Sequence, residues 1–425
     1  MYIRNTFYVG PDFKVRFGNL RIKDRKVYPD GPCEKGDPVL DGSGLLCMGG
    51  MVNAHFHGLS TVSRGLWKDQ ALFDWYGDSA QGRFQKSVLE DFLENRASDE
   101  DKKAIALKEY AELARQGVTC VNDGGTIDGT KEIQKEALEE IGLRGTIDVL
   151  DQIGEYAGRG SELVSYGSHL LEEEDMTPDA LRRIAELKKR NPDILFSTHC
   201  LETKARRDIV EKAFSKSSTE ILEEYGCLDR KTILYHCVQA DSNDLDRIAR
   251  HGCGVVYNPV SNLSTGAGLL NISDFLDRGI PCMLGTDWAD ADYLGVLKTA
   301  YLLMKGQKGG EKHTAEDILK MASANGYRML GPSGGGTVSC GAPADLVLVR
   351  LDSFRMEPAV HAEGFDSLIH NFVTCAAPED IEHVFVNGRW IVKDRKLATA
   401  DEDTIDRGWR NVMEKLKACL KSKPD

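Results

Sequence analysis

The stretch Met48-Gly-Gly-Met-Val-Asn-Ala-His55-Phe-His57-Gly-Leu-Ser60 decides how the rest of the sequence is interpreted. In it, a short apolar run with two glycines leads into two histidines that one residue separates. If Met51 to His55 form a β-strand, His55 and His57 share a face, because side chains two residues apart point to the same side of a strand. Two imidazoles that converge at a strand end suit Zn, Fe or Ni. The simpler alternative is a pair of surface histidines without a ligand, and this spacing alone does not exclude it.

From residue 49 onwards, short apolar runs alternate with amphipathic segments. Continuous apolar runs are typical of strands that are buried on both faces, as in parallel sheets. Together with the strand that contains His55 there are eight such runs, which predicts an α/β fold of the (β/α)8 TIM-barrel type. The other seven are Val118–Asp123, Thr146–Leu150, Leu163–Tyr166, Ile194–His199, Thr232–His236, Gly254–Pro259 and Ile280–Asp287.

Helix starts between these runs have recognisable capping patterns. Ser98 is the expected N-cap of a helix that has Asp101 at its third position and stops at Gly117. Thr177 precedes a proline, which the first turn of a helix tolerates. Thr314 begins a segment that resembles a capping box and predicts one helix to about residue 329.

The two ends of the chain have a different sequence pattern. Short β segments separated by Asp, Pro and Gly dominate there, and Asn387-Gly388 predicts the tip of a β-hairpin. A helix from about Glu402 to Leu420 is expected to end the chain. We predict that both ends pair into one small β-sandwich domain beside the barrel. The predicted domains are 1–48 together with 338–425, and 49–337 for the barrel.

The composition excludes several classes of protein. No apolar run approaches the ~18 residues that a membrane span requires, and the N-terminus lacks a signal-peptide pattern. A net charge of −13 argues against a nucleic-acid partner, since phosphate binding relies on Lys and Arg. The eleven cysteines include no Cys-x-x-Cys pair, which favours free thiols in a reducing compartment. We therefore expect a cytoplasmic protein.

Polar residues follow several of the predicted strands directly. The interval from His55 to His199 is 144 residues, or four units of 36, and the interval from His199 to His236 is 37. A strand–helix unit takes about 30 residues or more, so these intervals fit four steps and one step around a barrel. Asp287 ends the eighth run. Because active sites of this fold lie at the carboxyl ends of the strands, we expect these side chains to meet at one rim.

Taken together, these motifs resemble the amidohydrolase superfamily, specifically its mononuclear-metal branch. That branch includes the methylthioadenosine/S-adenosylhomocysteine deaminases, the guanine deaminases and the triazine chlorohydrolases. The resemblance covers nearly the whole chain, and the order and spacing of the motifs match as well. The matching motifs are Asn53-Ala-His55-Phe-His57, Thr198-His199-Cys-Leu-Glu202-Thr203, His236-Cys-Val, Asn258-Pro-Val-Ser-Asn-Leu, Gly285-Thr-Asp287 and Gly341-Ala-Pro-Ala-Asp-Leu-Val-Leu.

The resemblance implies a ligand set for one divalent metal ion. His55, His57 and His199 would hold the ion, and Asp287 would be a further ligand that also takes a proton from the attacking water. Three histidines and a carboxylate suit zinc, which is the expected metal, and ferrous iron is the alternative.

The resemblance also implies how the remaining site residues act. Glu202 would protonate a ring nitrogen of the substrate, and His236 would orient the water and stabilise the tetrahedral intermediate. His169 resembles a substrate-contacting histidine at the end of the fourth strand, although Ser168 replaces the usual proline. Trp288 follows the metal aspartate, where many members have glycine or alanine, so its indole would narrow the pocket or stack on a planar ring.

The expected activity is hydrolysis of an exocyclic amino group on an N-heterocycle. A purine base or nucleoside is the first choice of substrate, with a triazine, pterin or pyrimidine as alternatives. A chlorohydrolase or an amide or amidine hydrolase would use the same water. A non-catalytic scaffold is the alternative from another class, but it predicts lost ligands. The family further suggests a homo-oligomer, and Trp67 and Trp75 either line the pocket or only pack in the core.

Overall fold

The fold is seen in a computed structural model, in which residues 1–66, 69–75 and 79–421 are described. Trp67 and the side chain of Trp75 lie outside the described part of the chain, so the two alternatives for these residues stay open. Five strands come first along the chain. They are β1 (Tyr2–Val9), β2 (Val15–Lys23), β3 (Lys26–Pro29), β4 (Val39–Asp41) and β5 (Leu45–Gly49).

Eight parallel strands then form the barrel, in sequence order around it. Every run that the sequence analysis assigned to the barrel overlaps one of these strands, including the fourth, although the bounds differ by up to three residues. They are β6 (Met51–Phe56), β7 (Val118–Asp123), β8 (Arg144–Asp148), β9 (Val164–His169), β10 (Phe196–Cys200), β11 (Thr232–His236), β12 (Gly254–Tyr257) and β13 (Cys282–Leu284). The predicted TIM barrel is therefore confirmed.

The barrel closes between its first strand and the segment after its last strand. The backbone N–H of Asp287 donates to the carbonyl oxygen of His55 at 2.9 Å, and Phe56 and Asp287 form an isolated parallel bridge. The closure brings the end of the first strand, which carries His55, directly against the segment that carries Asp287. Residues more than 230 positions apart in the sequence are thereby fixed against each other by backbone hydrogen bonding.

Helices pack around the barrel and begin where the capping patterns indicated. Ser98 and Asp101 form the expected reciprocal capping box, and Thr177 caps the helix that starts at Pro178. The helices are α1 (Ala80–Lys86), α2 (Asp99–Ala114), α3 (Lys131–Ile141), α4 (Pro178–Arg190), α5 (Lys204–Phe214), α6 (Ser218–Glu224), α7 (Ser242–His251), α8 (Pro259–Ser264), α9 (Ile272–Asp277), α10 (Tyr293–Lys305), α11 (Ala315–Ala322) and α12 (Ala324–Leu330). A π-helix over Ser87–Glu94 follows α1.

One helix prediction is wrong. The segment after Thr314 is not a single helix, because Ser323 has a non-helical backbone (φ −128°, ψ −88°) and separates α11 from α12. The break turns Tyr327 inwards, where its hydroxyl donates to Asp345 and meets Thr119 on β7. Tertiary packing against the closed end of the barrel thus overrides a helical pattern that is continuous in the sequence.

The two ends of the chain form one mixed sheet of ten strands, as expected from their short β segments. Its central pair joins β5 to β15, so both ends of the chain meet in the same sheet. Apolar residues of both halves, such as Ile3, Leu20, Leu346 and Phe385, pack into one core cluster. The later elements are β14 (Ala342–Pro343), β15 (Leu346–Arg350), β16 (His361–Ala362), β17 (Phe365–Asp366), α13 (Leu368–Cys375), β18 (Ile381–Val386), β19 (Arg389–Lys393), β20 (Lys396–Leu397) and α14 (Glu402–Lys421).

Two smaller predictions about this region are also confirmed. Asn387 and Gly388 both have positive φ values (55° and 72°) at the tip of the β18–β19 hairpin, as a two-residue turn of this type requires. The C-terminal helix lies within one residue of its expected bounds. We propose 49–337 as the barrel domain, with the remaining residues in the flanking sheet domain. Among the described residues, no helix is long and apolar enough to cross a membrane.

Candidate metal centre and active site

Four side chains converge at the carboxyl ends of the barrel strands. His55 and His57 come from the end of β6, His199 from β10, and Asp287 from the closure after β13; their ligand atoms all lie within 4.8 Å of one another. Asp287 Oδ1 is 3.0 Å from His55 Nε2 and 3.3 Å from His57 Nε2. The sequence analysis named these same four residues as metal ligands, and the fold brings all four together.

Two of the site residues have strained backbone conformations. Asp287 (φ 67°) and His236 (φ 69°) are both in the left-handed region, which costs a non-glycine residue about 1–3 kcal/mol. Each stands where a barrel strand gives way to a loop. The left-handed backbone ends the extended conformation at these two positions, at the last residue of β11 and three residues after β13.

Hydrogen bonds fix the orientation of the surrounding ligands. His57 Nδ1 donates to the Gly125 carbonyl oxygen at 2.9 Å, and His199 Nδ1 donates to Glu172 Oε1 at 2.7 Å. Because both partners can only accept, Nδ1 carries the proton and Nε2 keeps its lone pair in both rings. Ser261 Oγ donates to Asp287 Oδ2. These contacts leave the Nε2 atoms available at the centre.

His55 is the ring whose environment most requires a ligand. It is fully buried and stacks on Tyr235 with the ring centroids 3.8 Å apart. His55 Nε2 lies 3.0 Å from Asp287 Oδ1, but neither ring nitrogen forms a well-aligned hydrogen bond with any described residue. Burial lowers the pKa of His55 well below its ordinary value, so the ring is neutral. A buried neutral imidazole without a partner is costly unless a cation accepts its lone pair, and this site therefore fits a metal ion.

The charge of Asp287 is compensated within the cluster. Burial alone would raise the pKa of Asp287, but His55 and His57 beside it outweigh that effect, so the pKa lies well below its ordinary value. For His57, burial opposes the charged form, whereas Asp287 and the Gly125 carbonyl favour it and raise the pKa. Asp287 is therefore an ionised ligand at neutral pH.

Glu202 and His236 flank the same aspartate. Both side chains are buried, and His236 Nε2 lies 3.7 Å from Asp287 Oδ2 and 3.9 Å from Glu202 Oε1. His236 Nδ1 bonds to Asn262 Oδ1 at 2.7 Å, so Nδ1 is its donor and Nε2 faces the site. An acid and an imidazole thus adjoin the cluster on one side, as the motif order suggested.

The two expected substrate contacts differ in what they can offer. Both nitrogens of His169 bond to carboxylates: Nδ1 to Asp148 Oδ2 at 2.8 Å and Nε2 to Glu172 Oε1 at 2.9 Å. Burial lowers the pKa of His169, but the two carboxylates outweigh it and raise the pKa to about 10. His169 is therefore an imidazolium with neither N–H free for a substrate. Trp288 lies 5.3 Å from the His57 ring and lines the cavity.

A cavity of about 770 Å³ opens above the cluster. Its lining includes the candidate metal centre, apolar residues (Leu150 and Leu171 from loops, Ile184 and Leu187 from α4) and charged residues such as Asp151, Glu174 and Arg183. Small-molecule sites are typically apolar clefts of this size with a few convergent polar groups. The cavity is large enough for a bicyclic ring with a substituent.

Several polar residues of the site were not recognised in the sequence. Ser261 and Asn262 lie in a motif that was noted without a role, and they hold Asp287 and His236. Glu172 and Arg206 carried no motif at all. Their spacing gave no usable signal, because neither pair lies on one helical turn: His169 ends β9 and Glu172 precedes a short 3-10 turn, while Glu202 precedes α5, which begins at Lys204.

Comparisons with known proteins agree with this geometry. The profile of the amidohydrolase family matches residues 46–391. The 5-methylthioadenosine/S-adenosylhomocysteine deaminase of Desulforudis audaxviator is 26% identical, over 98% of this chain and 99% of that protein. Two solved structures share the fold. A zinc-bound adenosine deaminase from Xanthomonas campestris has a TM-score of 0.85 and 19% identity over 98% of both chains. An atrazine chlorohydrolase from Arthrobacter aurescens, complexed with zinc, has a TM-score of 0.85 and 19% identity over 97% of this chain and 99% of that one.

Proposed function

Since this chain belongs to the amidohydrolase family, we propose that it is a metal-dependent aminohydrolase, which removes an exocyclic amino group from an N-heterocycle as ammonia. The observation that carries the proposal is the convergence of three imidazoles and a carboxylate within 4.8 Å in the lining of a ligand-sized cavity. The similarity to a deaminase over nearly the full length of both chains supports the reaction class.

One divalent ion is proposed at His55, His57, His199 and Asp287. Zinc is the first choice, with ferrous iron as the alternative, and the zinc in the two similar structures supports this order. When bound, such an ion makes water acidic enough to serve as the nucleophile at neutral pH, since it lowers the pKa of water from 15.7 to about 7.

Residues of the chain then donate and accept the protons of the reaction. Attack on a ring carbon that bears an amino group interrupts the aromatic system, so the adjacent ring nitrogen has to gain a proton. Glu202 supplies that proton from its buried carboxyl group, and Asp287 accepts the proton that the water loses. Asp287 then passes this proton to the amino group, which leaves as ammonia, and the proton of the new hydroxyl group returns to Glu202 as the ring carbonyl forms. His236 orients the water through Nε2, because Asn262 fixes its tautomer. Proton transfer by a positioned group typically contributes 10²–10⁴-fold to the rate.

The substrate is proposed to be a purine base or nucleoside, with a triazine, pterin or pyrimidine as alternatives. Trp288 stacks on the planar ring of the substrate or narrows the pocket. The apolar residues of the cavity lining receive the substituent. His169 contributes positive charge and rigidity at the cavity wall instead of a free N–H group. A cytoplasmic location and a homo-oligomer complete the proposal; the eleven cysteines, all of them free, support the location.

A hydrolase that releases chloride or an amine is the second candidate, which the structural similarity to an atrazine chlorohydrolase favours. A panel of amino- and chloro-substituted heterocycles, incubated with zinc-reconstituted protein, distinguishes the two. We expect ammonium from at least one purine. Chloride or amine release with no ammonium would favour the second candidate. No turnover on any member and no retained metal would instead favour a non-catalytic scaffold.

A further inference from the structure

Glu172 contacts the candidate metal ligand His199 on one side and, on the other, Arg206, which also contacts Glu202. Its Oε1 accepts hydrogen bonds from His199 Nδ1 at 2.7 Å and from His169 Nε2 at 2.9 Å, and its Oε2 accepts from Arg206 Nη1 at 2.9 Å. The same Nη1 is 3.3 Å from Glu202 Oε2. One guanidinium nitrogen therefore joins the carboxylate behind a metal ligand to the carboxylate proposed to carry the proton.

The environment of Arg206 holds it firmly in this bridging position. Its side chain is only 11% exposed, and Nη2 donates to Glu174 Oε1 at 2.9 Å. A guanidinium that contacts three carboxylates in a poorly solvated site has few alternative orientations, because charge-assisted hydrogen bonds are strong and directional there. Burial would lower the pKa of Arg206, but the surrounding carboxylates outweigh it, so the group remains charged.

The bridge assigns different tasks to the two oxygens of Glu202. Oε2 is occupied by Arg206, whereas Oε1 is the oxygen that lies 3.9 Å from His236 Nε2. Without Arg206, the Glu202 carboxyl group would lose the contact that fixes its last torsion, and Glu172 would lose the cation beside its Oε2. Catalytic groups lose about 10²-fold in rate when they are misplaced by 1 Å.

The same unit controls the tautomer of His199. Glu172 Oε1 can only accept, so it keeps the proton of His199 on Nδ1 and leaves Nε2 for the metal. A neutral amide at position 172 could offer an oxygen to both imidazoles only by turning its NH2 group towards Arg206, where two donors would meet. The carboxylate is therefore required by its partners on both sides.

We propose that Glu172 and Arg206 form a positioning pair that fixes the metal ligand His199 and the proton-carrying carboxylate Glu202 through one shared set of hydrogen bonds. This inference rests on the proposed function for its effect on turnover. Its effect on metal binding is independent of the reaction and provides a second readout.

The first test measures zinc affinity by competition with a chromophoric chelator. We expect Glu172→Gln to weaken zinc binding by about 10–100-fold, because the ligand His199 loses its orienting carboxylate. Arg207→Met is the matched control. Arg207 is the next residue on α5 and bonds to Glu211 and Asp241, away from the cavity, so its replacement should leave zinc affinity unchanged.

The second test measures turnover with zinc-loaded protein on the heterocycle that is deaminated fastest. We expect Arg206→Met to lower kcat by about 10²-fold with KM changed less than about threefold. Arg206→Lys keeps the buried charge and provides a variant that folds if Arg206→Met does not; its single ammonium is expected to restore part of kcat. Added guanidinium should raise the activity of Arg206→Ala but not that of Arg207→Ala.

Failure of the positioning pair and failure of the proposed function give different results. If no heterocycle is deaminated but Glu172→Gln loses zinc affinity and Arg207→Met does not, the positioning of His199 stands and the proposed function fails. Unchanged zinc affinity in folded Glu172→Gln would overturn the proposal. An unchanged kcat in Arg206→Lys, together with no response of Arg206→Ala to guanidinium, would overturn it as well.

Discussion

Two histidines on the same rim of the barrel, one buried and one partly buried, have opposite environments. His55 at the end of β6 forms no well-aligned hydrogen bond through either nitrogen with the described residues, and burial keeps its pKa far below the ordinary value. His169 at the end of β9 has a carboxylate on each nitrogen, which raises its pKa to about 10 against the effect of burial. The two rings have the same chemistry, but one is neutral with a free lone pair and the other is a fixed cation.

This contrast distinguishes a metal-binding histidine from a histidine that stabilises the site. The positions of the two residues in the sequence do not distinguish them as clearly. Both residues end a barrel strand, where active sites of this fold lie. Of these two rings, only that of His55 can donate a lone pair to a metal ion, because both nitrogens of His169 donate to carboxylates. The doubly paired ring instead neutralises Asp148 and Glu172, and through Glu172 it supports His199.

Loss of the neutral histidine should have the largest effect. We expect His55→Asn to abolish zinc retention and to lower kcat/KM by more than about 10⁴-fold, because no acidified water remains. Metal analysis after gel filtration and an ammonia assay measure both effects. Full zinc content with normal turnover would show that the two histidines do not differ in the way described.

Glu202 contacts Arg206 and lies beside the candidate metal centre without belonging to the metal ligands. Its replacement should therefore lower turnover and leave metal binding unchanged. We expect Glu202→Gln to lower kcat by about 10²–10⁴-fold with unchanged zinc content, because an amide carries no proton to the ring nitrogen. Steady-state kinetics of the zinc-loaded variant provide the measurement. A kcat within about twofold of the parent value would exclude Glu202 as the proton carrier.

Loss of the charged histidine should affect stability most. We expect His169→Gln to lower the free energy of unfolding by about 3 kcal/mol, since Asp148 would lose its charged partner and Glu172 would keep only Arg206 as a cation. Urea denaturation measures the change. His251→Gln is the control, because His251 pairs with Glu223 near the surface, and it should cost less than about 1 kcal/mol. Equal effects of the two variants would contradict the contrast.

The pH dependence of stability gives the smallest expected effect. The folded protein holds the His169 proton up to about pH 10, whereas the unfolded chain releases it near 6.5. The stabilisation by His169 is therefore complete below pH 6.5 and is lost as the pH rises to about 10. Urea midpoints of metal-free protein across this range should fall more steeply for the parent chain than for His169→Gln. Parallel curves would count against a charged His169.

Local patterns predicted the fold well, and the failures have a physical cause. Apolar runs placed all eight barrel strands, and the capping residues Ser98 and Thr177 marked helix starts correctly. The break at Ser323 was not predictable, because it depends on the docking of Tyr327 beneath the barrel.

The site was predictable only as far as its motifs reached. The strand-end positions of His55, His57, His199 and Asp287 indicated one rim, and the structure brings these residues together. The pairing of His169 could not be anticipated, since one of its partners, Asp148, belongs to another strand. Contacts between strands depend on the register of the barrel, which the sequence does not state.

The central claim is that one divalent ion, held by three imidazoles and a carboxylate, is required for ammonia release. The most direct measurement is ammonia release from the best heterocycle before chelation, after exhaustive chelation and after one equivalent of zinc is added back. We expect activity to disappear on chelation and to return with about one zinc per chain. Full turnover by protein that contains no metal would contradict the account.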